Sequence, residues 1–136
     1  NEEAIKSIKK IYKKINFLIN KYDLNNNDIT LIGFSQGAIL SWAIGFNYPK
    51  FVRRIIALSG YINEELINKN DVTFKAFSSH GTVDPIIPVD WARNTIKKYI
   101  KKDCEDLVYN EYNVGHTLSE NNLIDFLNWI NKTSFN

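Results

Sequence analysis

An α/β class with a mainly parallel sheet follows from three features of the chain. Segments with apolar residues at a three-and-four period alternate with short β-branched runs, the order that builds parallel strands joined by helices. The first of those runs, Ile29-Thr30-Leu31-Ile32-Gly33, reads as a strand covered on both faces. The 136 residues, 44% of them apolar, are enough for one globular domain with its own core.

Each element can be justified in turn. Ile5, Ile8, Ile11, Tyr12, Ile15, Leu18, Ile19 and Tyr22 mark one apolar face of a helix from about residue 2 to 21. Lys6, Lys9, Lys10, Lys13, Lys14 and Lys21 cover much of the rest and read as a solvated face. A polar turn at 23–28 leads to a strand at Ile29–Gly33, expected to be buried on both faces. Helix resumes after Ser35 with Ala38, Ile39, Trp42, Ala43 and Phe46 inward, and Pro49 stops it. Arg54–Leu58 is the second strand, and the polar stretch 63–71 has room for one helical turn. Val72–Ser79 is the third strand. Pro88–Lys102 is a helix with proline in its first turn and Val89, Ala92, Ile96, Tyr99 and Ile100 apolar. Leu107–Tyr112 is the fourth strand. A last helix from Ser119-Glu120 uses Leu123, Ile124, Phe126, Leu127 and Ile130. Trp42 and Trp129 fall on apolar helix faces and are expected in the core.

Composition excludes several classes of function. Seventeen Lys and Arg against fifteen Asp and Glu leave a charge of +2, too mild and evenly spread for a nucleic-acid or polybasic membrane surface. One cysteine, Cys104, excludes an internal disulfide framework and a multi-cysteine zinc site, and its neighbours Asp103 and Glu105 oppose a reactive thiolate. No apolar run approaches the ~20 residues of a membrane helix, and no signal-peptide pattern opens the chain, so a cytoplasmic setting without an integral membrane segment is expected. Heavy use of Asn, Ile and Lys reads as coding bias. There is no methionine, so Asn1 does not read as a translation start and the chain is expected to belong to a longer one.

Chemistry concentrates in Gly33-Phe34-Ser35-Gln36-Gly37, a G-x-S-x-G at a strand-to-helix junction. Six glycines and eight serines predict roughly 0.015 chance occurrences of that pattern, so a mere glycine-rich turn is a poor explanation of it. A Cβ at Gly33 or Gly37 is expected to collide with neighbouring backbone. The sharp turn lifts the Ser35 hydroxyl above the sheet edge, and the helix that begins there aims its N–H groups at a developing oxyanion. A serine hydroxyl needs a base, and the base an orienting acid. His116, in the loop after the fourth strand, is the candidate base. Asp84, in Gly81-Thr82-Val83-Asp84-Pro85, is the candidate acid, with Pro85 holding it extended and Gly81 permitting a tight exit from the strand. The order Ser35, Asp84, His116 is that of an α/β-hydrolase. Asp90 is a rival acid, but a carboxylate in a helix's first turn needs no function. His80 precedes the acid and reads as a supporting or structural residue.

Gly33-Phe34-Ser35-Gln36-Gly37-Ala38, Leu58-Ser59-Gly60, His80-Gly81-Thr82-Val83-Asp84-Pro85-Ile86-Ile87-Pro88 and Tyr112-Asn113-Val114-Gly115-His116 together resemble the phospholipase/carboxylesterase family, which includes the acyl-protein thioesterases. The resemblance runs over essentially the whole chain. It implies an α/β-hydrolase fold and cofactor-free cleavage of carboxylic esters or thioesters. Ser35 resembles the nucleophile, Asp84 the acid and His116 the base, and Gln36 the residue whose backbone N–H gives one oxyanion donor. Ser59, Gly60, Ile86 and Ile87 resemble loop positions near the acyl pocket, and Trp91, beside the Asp84 loop, is a candidate for its border.

Members of the family also carry an earlier half, with further strands and a His-Gly loop that supplies a second oxyanion donor. Nothing before the first helix resembles it. The chain is therefore expected to be the carboxyl-terminal half of one α/β-hydrolase domain, with an unpaired edge at the Ser35 strand. A preceding segment or a second copy of the chain would complete the sheet. The activity expected is acyl transfer to water through an acyl-enzyme on a small ester or thioester. Two other readings stand beside it. One is a non-catalytic hydrolase-fold binding module. The other is a prolyl-oligopeptidase-like peptidase, which shares the Ser-Asp-His order but usually carries a gating domain.

Overall fold

In the computed structural model, which describes residues 1–25, 28–68, 72–100 and 106–134, four parallel strands lie in the order in which they occur in the chain. The elements are α1 (Glu2–Tyr22), β1 (Thr30–Phe34), α2 (Gln36–Asn47), β2 (Arg54–Leu58), one 3₁₀ turn (Glu64–Leu66), β3 (Lys75–Gly81), α3 (Val89–Ile96), β4 (Leu107–Tyr112) and α4 (Glu120–Lys132). Cys104 lies outside the described residues. All neighbouring strands pair in parallel, so the loops after β1, β2, β3 and β4 all emerge at the same end.

The sheet divides two cores. On one face Ile55, Ala57 and Ala76 meet α1, α2 and α3 through Ile8, Ile15, Ile19, Trp42, Phe46, Ala92 and Ile96. On the other, Ile56, Leu58 and Phe77 meet Phe126 and Trp129 of α4. Arg54 locks α4 in place, donating from Nε to Thr30 Oγ1 at 2.6 Å and from Nη1 to the Ile130 carbonyl and Thr133 Oγ1 at 2.9 Å each. No helix among the described residues is long and apolar enough to cross a membrane.

Several expected details change. β1 is not buried on both faces: Ile32 is 60% exposed and Phe34 44%. The helix layer covers one of its faces, while α4 sits over β2 and β3 and stops short of it. In α4, Leu123, Ile124 and Leu127 are exposed, and the buried stripe is Asn122, Phe126 and Trp129. The Ser79 hydroxyl, donating to Asn122 Oδ1 at 2.8 Å, fixes that rotation. Ile5 and Tyr22 of α1 are likewise exposed, because the helix buries only the narrower stripe of Ile8, Ile15 and Ile19.

β3 runs from Lys75 to Gly81 instead of 72–79. Its start is set by Arg54, which pairs with Lys75, and its end by β4, which pairs as far as Gly81 with Tyr112. Phe74 instead packs against Trp42 and Phe46. α3 ends at Ile96, where the Tyr99 N–H bonds to the Ile96 carbonyl in a tighter turn, and 101–102 lie outside the described residues.

Candidate active site

Ser35 sits between β1 and α2 with φ 57° and ψ −117°, a backbone conformation that an L-residue adopts only under constraint. The constraint is visible. Its N–H donates to the Leu58 carbonyl at 2.8 Å, and its carbonyl accepts from Ala38 at 3.0 Å and Ile39 at 3.2 Å. A Cβ on Gly33 would stand 2.2 Å from the Gly37 carbonyl oxygen, so only glycine allows the turn to close. The same requirement does not hold at Gly37, where a Cβ would meet nothing within 4 Å among the described residues. A Cβ on Gly60 would come within 2.6 Å of Ala38 Cβ and 3.0 Å of the Ser35 carbonyl oxygen, so the β2 loop passes close under the elbow.

His116 reaches Ser35 from the loop after β4, with Nε2 2.9 Å from Oγ. Its Nδ1 is 2.7 Å from Asp84 Oδ2, so one imidazole bridges hydroxyl and carboxylate, 81 and 32 residues away in sequence. Asp84 is buried, and its Oδ1 accepts the N–H groups of Ile86 at 2.8 Å and Ile87 at 2.9 Å, the turn that an Asp-Pro pair initiates. Burial opposes ionisation of this carboxyl. The hydrogen bonds from His116, Ile87 and Ile86 outweigh it, and the pKa falls below the ordinary carboxylate value.

Backbone proximity between the two loops makes this geometry possible. A Cβ on Gly81 would lie 2.1 Å from the Gly115 carbonyl oxygen and 2.3 Å from that of Val114. Thr82 and Val83 then donate to the carbonyls of Tyr112 at 2.8 Å and Val114 at 3.2 Å, stitching the Asp84 loop to the His116 loop.

Of the remaining candidates, Gln36 opens α2, where the first N–H groups have no carbonyl a turn earlier to accept them. Ser59 is buried with φ 59°, its N–H bonded to the Ser79 carbonyl. Ile87 is buried, Ile86 is exposed, and Trp91, half exposed, stacks edge-on against Tyr61 at 5.4 Å. Asp90 is exposed on the first turn of α3, 3.5 Å from Arg93, and is not brought to His116. His80 lies beside Asp84, with Nε2 3.3 Å from Oδ2. One contact had no sequence signal: the Phe34 ring packs 4.9 Å from the His116 ring. Among the described residues no group of three or more His, Cys, Asp or Glu side chains is arranged to hold a metal ion.

A family model described as Phospholipase/Carboxylesterase matches residues 1–134. The chain is 34% identical over 131 residues to acyl-protein thioesterase 1 of Debaryomyces hansenii, covering 92% of this chain and 56% of that protein. It is 35% identical over 120 residues to acyl-protein thioesterase 1 of Candida albicans, covering 82% and 52%. The chain thus spans about half the length of these curated relatives. Among solved structures it superposes on the Bacillus cereus carboxylesterase with a TM-score of 0.84 at 19% identity, over 96% of this chain and 62% of the other. Esterase PE8 gives a TM-score of 0.77 at 25% identity, over 88% and 57%.

Proposed function

We propose that this chain, which belongs to the phospholipase/carboxylesterase family, carries the catalytic triad of a serine hydrolase that cleaves carboxylic esters or thioesters through an acyl-enzyme. One observation carries the reading: a single imidazole lies 2.9 Å from a strained, elbow-mounted hydroxyl and 2.7 Å from a buried carboxylate.

His116 Nε2 takes the Ser35 proton as Oγ attacks the carbonyl carbon, and the imidazolium is stabilised and kept in its tautomer by Asp84. The Gln36 N–H, at the positive end of α2, holds the oxyanion. His116 then gives the proton to the departing alcohol or thiol, and water repeats the attack on the acyl-enzyme. The substrate is a small acyl ester or thioester, and the exposed side chains of Ile86 and Trp91 suit an apolar acyl rim, with Ser59, Gly60 and Ile87 beneath it.

A second oxyanion donor comes from outside these residues, and its loss costs typically about 10²–10³ in turnover. The open edge of β1 and the exposed Ile32 and Phe34 support further strands beside it, from a preceding segment of the same domain or from a second copy. The test uses the full-length protein with a chromogenic short-chain ester and a fluorophosphonate label. Ser35→Ala and His116→Ala are expected to lose turnover and labelling by at least about 10³-fold. Activity near wild type in either variant would refute the assignment.

A further inference from the structure

We propose that His80 is a positioning residue for this reaction, holding Asp84 and its loop in place through the Nε2–H of a single imidazole tautomer. The inference rests on the triad reading. His80 lies on β3, paired with Glu111 of β4, and none of its side chain is exposed. Its Nε2 stands 2.8 Å from the Ile87 carbonyl oxygen and 3.3 Å from Asp84 Oδ2. Both of those oxygens only accept, so Nε2 carries the proton, donating it to the Ile87 carbonyl with the Asp84 carboxylate beside it. Nδ1 is buried without a hydrogen-bond partner and is the bare nitrogen.

Asp84 is held through both oxygens. Oδ1 takes the Ile86 and Ile87 N–H groups, and Oδ2 takes His116 at 2.7 Å with His80 Nε2 3.3 Å away. The Ile87 peptide is held from both sides, its N–H by Asp84 and its carbonyl by His80. Residues 82–88 contain no helix or strand, so His80 links them to the rigid sheet. Turning the carboxylate away from His116 would break bonds on both oxygens at once. A phenylalanine keeps an aromatic ring there, somewhat larger than imidazole, but removes the donor and leaves the Ile87 carbonyl without its His80 bond. A glutamine places an amide N–H at nearly the reach of Nε2, whereas an asparagine is too short.

The experiment compares His80→Phe, His80→Gln and His80→Asn in the full-length protein, with Ser35→Ala and Asp84→Asn alongside. The readouts are kcat, KM and the downfield proton resonance of the His116 Nδ1–H. The expected result is a loss of about 10²-fold in kcat for His80→Phe, KM within about twofold, and loss of that resonance. His80→Gln should recover at least about tenfold of the loss and the resonance. If His80→Phe does not fold, His80→Gln should exceed His80→Asn by about tenfold. A folded His80→Phe with wild-type kcat, or Gln and Asn variants of equal turnover, overturns the role of His80 and leaves the triad standing. Wild-type turnover in Ser35→Ala or Asp84→Asn overturns the triad itself, and the role of His80 with it.

Discussion

Gly81→Ala is the sharpest perturbation of the site that leaves every side chain of the proposed triad in the sequence. The new Cβ would lie 2.1 Å from the Gly115 carbonyl oxygen, where ordinary contact begins at 3.4 Å. The Asp84 and His116 loops must therefore part by about 1.3 Å, since packed backbone has no slack to absorb the overlap. Both obstructing atoms are main-chain carbonyls, and the adjoining Thr82–Tyr112 and Val83–Val114 hydrogen bonds resist a local adjustment. If the movement falls along the Asp84–His116 bond, its 2.7 Å length grows to about 4.0 Å, which is no longer a hydrogen bond. A misplacement of about 1 Å costs about 10²-fold, and loss of the orienting acid about 10⁴-fold, so turnover should fall between those limits. Stability should fall by about 1–3 kcal/mol from overpacking. Ester turnover and urea unfolding of the full-length protein measure both. A folded Gly81→Ala protein with turnover within threefold of wild type would sink the argument that this backbone approach sets the triad.

Three further outcomes are expected. Ser35→Gly and Ser35→Ala should both be inactive, but the glycine variant should be more stable in urea by about 1 kcal/mol, because glycine accepts the φ 57° conformation without strain. Arg54→Leu should lower stability by about 1–2 kcal/mol in the same measurement, since it removes three hydrogen bonds, although the Ile130 carbonyl at the end of α4 keeps the Ser134 hydroxyl as a donor. Glu111 accepts from Arg93 through two bonds of 2.7 Å, which with the Tyr109 hydroxyl hold its carboxyl at about 2, below the ordinary 4.5. Its contribution is therefore complete above pH 4.5 and drains away as pH falls toward 2. Glu111→Gln should cost about 1–2 kcal/mol at pH 7, discounted for the partial exposure of Arg93, and unfolding midpoints of the two proteins should converge in acid.

The local elements were legible because their signals are local. Period, proline and the glycine at 33 set α1, β1, the elbow and α2 with no knowledge of their neighbours, and the motif order named Ser35, Asp84 and His116. The errors arose where a distant partner decides. α4 shows as many apolar residues on its open side as on its buried one. Only the Ser79–Asn122 and Arg54–Thr133 bonds select the stripe that faces the sheet. The ends of β3 depend on where β2 begins and β4 ends, and the exposure of β1 on how far α4 reaches. His80 read only as a supporting or structural residue because its partner is a carbonyl seven residues on, reached only once the loop folds back.

By itself, then, the amino-acid order determined the class of fold, the approximate positions of its strands and helices, and the three side chains of the candidate triad. Those follow from periodicity, turn chemistry and the requirements of a nucleophile, which act within a few residues. The tertiary structure alone decided which faces are buried, that a Cβ at position 37 would have room where one at 33 would not, and that a second imidazole lies beside Asp84. Those are matters of non-local packing, in which atoms up to 81 residues apart are brought within hydrogen-bond distance.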